Sequence, residues 1–181
     1  DNAVATNPGK AMMHYRYGYS KWRYYFDQIE DPANVDISKF DDVITHFEKA
    51  LNLYGDRPEK RYTLKNYTDL LNQLKKYDEA FQKALKIKQF LKNYPEYKSY
   101  FKETLSSLAA NMIDDGAVLY QKNNYKRALE LTKMGMEIYK PNALAYTNLG
   151  MIYEKMNSPE KAIENWQKAI EKNPEYINPY K

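Results

Sequence analysis

The chain has no cysteine. That excludes disulfides, thiolate nucleophiles and cysteine-based metal centres, and it leaves the redox compartment open. Histidine is nearly absent: only His14 and His46 occur, on different predicted helices. His14 sits next to an apolar stripe and His46 lies between Thr45 and Phe47, so they read as ordinary surface or interface side chains. Glycine (6) and proline (8) are scarce and sit mostly at segment edges, which favours long helices over many short strands. No apolar run approaches the roughly 18 residues that a membrane helix needs, so no membrane span is expected. Phosphate-binding glycine loops, HExxH and GxSxG are missing as well. The carboxylate pair Asp114-Asp115 has no histidine near it in sequence. The expectation is a non-enzyme with no catalytic residue, no metal and no cofactor.

What is present is a sizeable apolar fraction, 43% of 181 residues, with 29% charged. That is enough for one domain with a real core and a well-solvated surface. The net charge of +4 is too small to imply nucleic acid by itself. Its distribution is uneven: residues 59–102 hold 11 Lys and Arg against 5 Asp and Glu. That basic middle would steer an acidic partner, and its plain alternative is a solvated helix face. The start at Asp1 and the polar run to Gly9 read as a flexible leader (residues 1–10) behind a removed signal peptide, or as an expression boundary. Tyr-, Asn- and Lys-rich composition leans towards a periplasmic or exported bacterial protein. Asn66-Tyr67-Thr68 matches a glycosylation sequon, a triplet frequent by chance.

Apolar spacing of three and four predicts eight helices in four hairpins. The first carries the stripe Met12, Tyr15, Tyr19, Trp22, Phe26, Ile29 and ends at Asp31-Pro32-Ala33-Asn34. Ser38 is placed to cap the second, which carries Phe40, Val43, Phe47, Ala50, Leu51 and Tyr54 and stops at Gly55. The others are expected at about 59–75, 78–93, 96–122, 125–139, 143–156 and 160–172. Gly116 and Gly150, Asn123 and Asn157, and Ala128 and Ala162 are each 34 residues apart. A fixed period of that length marks a stacked helical repeat.

The fourth unit, about residues 142–174, resembles the tetratricopeptide repeat. Tyr146, Leu149, Gly150 and Tyr153 fill its first helix, Asn157 its turn, and Ala162, Trp166, Ala169 and Pro174 its second helix and exit. The third repeat keeps Gly116, Leu119, Asn123, Tyr125, Ala128 and Ile138. The second keeps Leu71 and Tyr77-Asp78-Glu79-Ala80; the first keeps Phe40-Asp41-Asp42-Val43 and its B helix. The anchors Val43, Ala80, Ala128 and Ala162 step by 37, 48 and 34. About 14 extra residues therefore fall in the long fifth helix and its approach. The resemblance implies an all-α fold: an α-solenoid of about four antiparallel hairpins wound as a right-handed superhelix. The domain would span 11–181, with repeats near 11–55, 59–94, 96–140 and 142–174. Gly150 is expected to face small residues such as Ala162 where the two helices cross.

The resemblance also implies a concave groove lined by first helices and holding a protein or peptide partner. Its positions fall on Tyr62, Lys65, Asn66, Asp69 and Asn72; on Ile113, Ala117 and Tyr120; and on Thr147, Asn148, Met151 and Glu154. Ile113 and Ala117 stand where a carboxylate clamp would need polar side chains, so that clamp is not expected. The leading reading is a scaffold for protein–protein interaction. The alternative is a module for an acidic polymer, nucleic acid or glycan, using the basic middle and the Tyr/Arg-rich first helix. On that helix Tyr15, Tyr19, Trp22 and Phe26 are assigned to the core. Arg16, Tyr17, Arg23, Tyr24 and Tyr25 remain as the alternative surface. A third reading is homodimerisation through Trp166 and its neighbours on the last repeat, behind which no polar capping helix follows.

Overall fold

The computed structural model describes residues 7–29 and 35–174, and every regular element among them is helical. The proposed helix end at Asp31–Asn34 lies outside the described residues, as do the leader residues 1–6 and the tail from 175 on. The helices are α1 (Pro8–Phe26), α2 (Asp41–Tyr54), α3 (Lys60–Gln73), α4 (Tyr77–Asn93), α5 (Lys98–Gln121), α6 (Tyr125–Ile138), α7 (Ala143–Lys155) and α8 (Pro159–Lys172). Single 3-10 turns at Ile37–Phe40 and Pro95–Tyr97 lead into α2 and α5. The fold is all-α and built from helical repeats. The chain forms two compact units, Asp1–Phe101 and Lys102–Lys181.

Local chemistry sets the ends. Asn7 accepts a hydrogen bond from the Lys10 N–H (3.0 Å) and Pro8 opens α1, a favoured first-turn pair. Residues 8–10, expected in the leader, are therefore the first turn of a helix. Ser38 does not cap α2. Asp36 accepts from both the Ser38 N–H (3.1 Å) and its hydroxyl (2.7 Å), which winds the 3-10 turn. Ser38 lies inside that turn, and Phe40 takes the position before α2.

Three hairpin turns share one geometry. Lys75, Asn123 and Asn157 have φ of 53°, 59° and 54°. In each, the next residue's N–H reaches back to the carbonyl five residues earlier: Lys76 to Leu71, Asn124 to Leu119 and Ser158 to Tyr153, all at 2.9 Å. This left-handed cap satisfies carbonyls that the helix end orphans. Asn157 adopts the expected conformation, and Lys75 does so without the help of an Asn or Gly side chain.

The N-terminal unit packs through aromatics. Phe40, Phe47, Tyr54, Tyr67 and Phe101 are fully buried or nearly so, with Leu64, Leu70, Leu71 and Ile87 between them. Phe47 sits at the hub, with Tyr15, Trp22 and Tyr67 rings centred 5.7–6.3 Å away. Gly18 lets α1 approach α2: a Cβ there would lie 3.3 Å from His46 and Phe47. The expected stripe on α1 is only partly inward. Trp22 is buried but Tyr19 is 37% exposed, because the stripe that faces α2 runs through Ala11, Gly18 and Trp22.

The C-terminal unit packs through small residues. Ala128, Ala145, Ala162 and Ala169 are buried among Leu108, Met112, Leu131 and Ile152. The space beside Gly150 is filled by the indole of Trp166, not by Ala162: a Cβ on Gly150 would overlap that ring. Gly116 and Gly135 do the same work, with added Cβ atoms 2.7 Å from Thr132 Oγ1 and 2.8 Å from the Ala109 carbonyl. The extra sequence before the third repeat is absorbed as expected, by the 3-10 turn and a fifth helix of 24 residues.

Candidate functional site

The C-terminal unit has a cavity of about 200 Å³ lined by Ala117, Tyr120 and Gln121 from α5 and by Asn148, Met151 and Ile152 from α7. Both helices are the first helix of a hairpin. They meet where the Asn148 amide of α7 reaches the Ile113 carbonyl of α5, while Gly116 and Gly150 face their hairpin partners α6 and α8. Asn148 is at the floor, almost wholly buried, with its amide donating to the Ile113 carbonyl at 3.5 Å. Met151 and Tyr120 are half-buried at the walls. A thioether and a phenol beside one buried amide offer an adaptable apolar contact with one polar fix.

Four expected residues line this cavity: Ala117, Tyr120, Asn148 and Met151. Three do not. Ile113 is buried in the core, Thr147 is buried with its hydroxyl donating to the Ala143 carbonyl (3.0 Å), and Glu154 is exposed. Gln121 and Ile152 line it and were not expected. Each lies one position beyond a site residue or its neighbour, so only the helix packing reveals them.

The remaining expected residues lie on α3 in the N-terminal unit, where they are tied to one another and to tyrosines. Lys65 pairs with Asp69 at 2.6 Å. The Asn66 amide donates to the Tyr15 hydroxyl at 2.8 Å. Tyr62 lies under the Arg61 guanidinium (4.2 Å) and accepts from it at 2.6 Å. Asn72 is buried. Tyr15 on α1, Tyr62 on α3 and Tyr100 on α5 form a row with centroids 6.2 and 6.3 Å apart. Burial, then the neighbouring Tyr15 and Tyr62, raise the Tyr100 phenol to about 12. Burial also raises Tyr15, against the pull of its Asn66 hydrogen bond. The row escaped the sequence reading because Tyr15 is assigned there to the core and Tyr62 to the groove, each on its own helix.

The alternative surface on α1 is dispersed. Arg16 is exposed, Arg23 faces Asp27 at 3.9 Å, and Tyr24 is 60% exposed. Tyr25 turns inward onto Phe40 (5.7 Å), and Tyr17 covers the His46 ring at 4.2 Å. The basic middle is partly neutralised: Lys65, Lys76 and Lys83 face Asp69, Glu79 and Glu48. Among the described residues no group of three or more His, Asp or Glu side chains is arranged to hold a metal. No described helix is long and apolar enough to cross a membrane.

The family description "Tetratricopeptide repeat" matches residues 143–176, a range that contains α7, α8 and the turn between them. The chain carries a tetratricopeptide repeat. That repeat supplies one wall of the α5/α7 cavity. The chain is also similar to the regulatory protein RapK of Bacillus subtilis (strain 168), at 23% identity over 135 residues. The match covers 69% of this chain, which spans about a third of that relative (36%). Among solved structures, BtubC (BKLC) from P. vanneervenii aligns over 92% of this chain and 78% of its own, at 15% identity and a TM-score of 0.36.

Proposed function

We propose that this chain is a non-enzymatic protein-interaction module whose tetratricopeptide repeat holds a peptide or a segment of a partner protein. The observation that carries this reading is the cavity lined by Ala117, Tyr120, Gln121, Asn148, Met151 and Ile152. It is open to an inserted side chain, and its walls are apolar while its floor presents an amide. An extended segment or a helix would seat one apolar anchor there. The repeat match and the regulatory relative support an interaction role.

Immobilised protein is expected to retain a specific partner at both low and moderate salt. The Tyr120→Ala, Met151→Ala double variant, with an unchanged helical circular-dichroism spectrum, loses it. Retention of the same partner by the folded variant overturns the site. Capture of nucleic acid or glycan alone, released steeply by salt, supports the polymer reading instead.

A second reading rests on α8, where Ile163 and Ile170 are 53% and 49% exposed one heptad apart. Such a stripe suits pairing with a second copy. Light scattering over a concentration series tests it: a constant monomer mass overturns it.

A further inference from the structure

The only two histidines of the chain are 32 residues apart and meet in the middle of the α1/α2 hairpin. His14 Nδ1 and His46 Nδ1 are 2.9 Å apart, and the ring centroids 4.9 Å. We propose that this pair is a binding site for a divalent transition-metal ion of the zinc, nickel or copper class. Both rings present the same nitrogen, Nδ1, to the other at hydrogen-bond distance. Metal–imidazole bonds are roughly 2.0–2.1 Å, so two nitrogens on one ion sit about 2.9–3.4 Å apart at right-angled to tetrahedral ligand angles. The observed separation is already at the lower end of that range. The rings need only open slightly to exchange a shared proton for an ion.

The surroundings hold one ring in a ligating form. Asp42 Oδ1 lies 3.6 Å from His46 Nε2, on the far side of the ring. A carboxylate there favours the proton on Nε2 and leaves the Nδ1 lone pair facing His14, as the outer partners of metal-bound histidines do. Asp42 is itself held by the Lys21 ammonium, and Tyr17 covers the His46 ring at 4.2 Å. Without an ion, His14 Nδ1–H donates to His46 Nδ1. With an ion, His14 moves its proton to Nε2, and both imidazoles stay neutral.

The charges also select the ion class. Lys21 and Lys49 face the cluster beside the single carboxylate Asp42. That environment disfavours magnesium or calcium, which bind through anionic oxygen ligands. It leaves ions whose affinity comes from bonding to nitrogen. No third His, Asp or Glu completes the set among the described residues, so water fills the remaining positions. A bound ion would staple α1 to α2.

The test uses the full chain without a polyhistidine tag, at pH 7.5. Adding ZnCl2 or NiCl2 is expected to raise Tm and saturate at one ion per chain, while MgCl2 leaves Tm unchanged. His14→Gln and His46→Gln, first shown folded by circular dichroism, each abolish the shift. Nitrogen-15 NMR of the imidazoles provides a readout on the unaltered protein. Zinc is expected to move the Nδ1 resonances of both rings and leave them protonated at Nε2. No saturable Tm shift overturns the proposal, as does a shift that survives in the double histidine variant. Zinc-induced changes confined to Nε2 also overturn it.

Discussion

The two compact units solve the same packing problem with different residues. Between α1 and α4 the interfaces are filled by large rings, with Phe47 surrounded by Tyr15, Trp22 and Tyr67. Between α5 and α8 they are filled by close backbone approach at Gly116, Gly135 and Gly150, with a single indole from Trp166 over the last. The first solution fills space with large side chains. The second demands register, because each glycine admits one neighbour at one position. The strict 34-residue period belongs to the second unit; the irregular step of 37 lies within the first, and that of 48 runs from the first into the second. Register-dependent packing and sequence regularity go together.

That contrast can be broken in graded ways. The two tryptophans are one to each unit, so the fluorescence of Trp22 and Trp166 reports the units separately. Phe47→Ala removes the hub of the aromatic core, and about 3–5 kcal/mol of stability is expected to go with it. The loss should appear first in the Trp22 signal during urea unfolding. A cost under about 1 kcal/mol would mean that the rings do not form one interdependent core. Gly150→Ala places a methyl group into the Trp166 indole and is expected to cost about 1–3 kcal/mol despite the better helix propensity of alanine. Gly9→Ala, whose Cβ would meet only the Asn7 side chain at 3.7 Å, is the control and should be neutral or slightly stabilising.

Alkaline pH separates the units next. Burial raises the phenols of Tyr15, Tyr54, Tyr67 and Tyr100, with Tyr100 at about 12. A tyrosine raised in the folded state ionises more readily in the unfolded one. Its stabilisation is complete below pH 10 and is lost as pH rises from 10 through the folded value. The Trp22 unit should therefore weaken between pH 10 and 12, and Tyr100→Phe should blunt that slope. A slope unchanged by the substitution would remove Tyr100 from the account. The smallest effect is at the turn of the second repeat. Lys75→Asn, at a φ of 53°, should stabilise by a few tenths to about 1 kcal/mol, as its counterparts Asn123 and Asn157 suggest.

Much of this fold was legible in the sequence because helices and turns are local. The three-and-four spacing places α3 to α8 within two residues at each end, and Asn157 announces its own left-handed turn. The inward faces were also largely legible, as Leu64, Tyr67 and Leu71 show by their complete burial. The failures are tertiary. Tyr19 fits a helical stripe but is left 37% exposed at its edge, since the spacing cannot tell which of two adjacent stripes Gly18 opens to α2. Ala162 was expected to face Gly150, and the Trp166 indole fills that space instead. Four of the six cavity residues were legible: Ala117, Tyr120, Asn148 and Met151 follow from repeat position, whereas Gln121 and Ile152 depend on how α5 meets α7. The His14–His46 contact has no local signal at all, because it joins residues on two helices across a loop.

The central claim is that the α5/α7 cavity receives a partner segment. A photo-crosslinking amino acid placed at position 120 tests it most directly, with the same group at the exposed position 24 as the reference. The account predicts that irradiation in source-cell extract yields one dominant protein adduct from position 120, that an excess of unlabelled protein suppresses it, and that position 24 gives none. Equal adducts from both positions, or none from position 120, would contradict it.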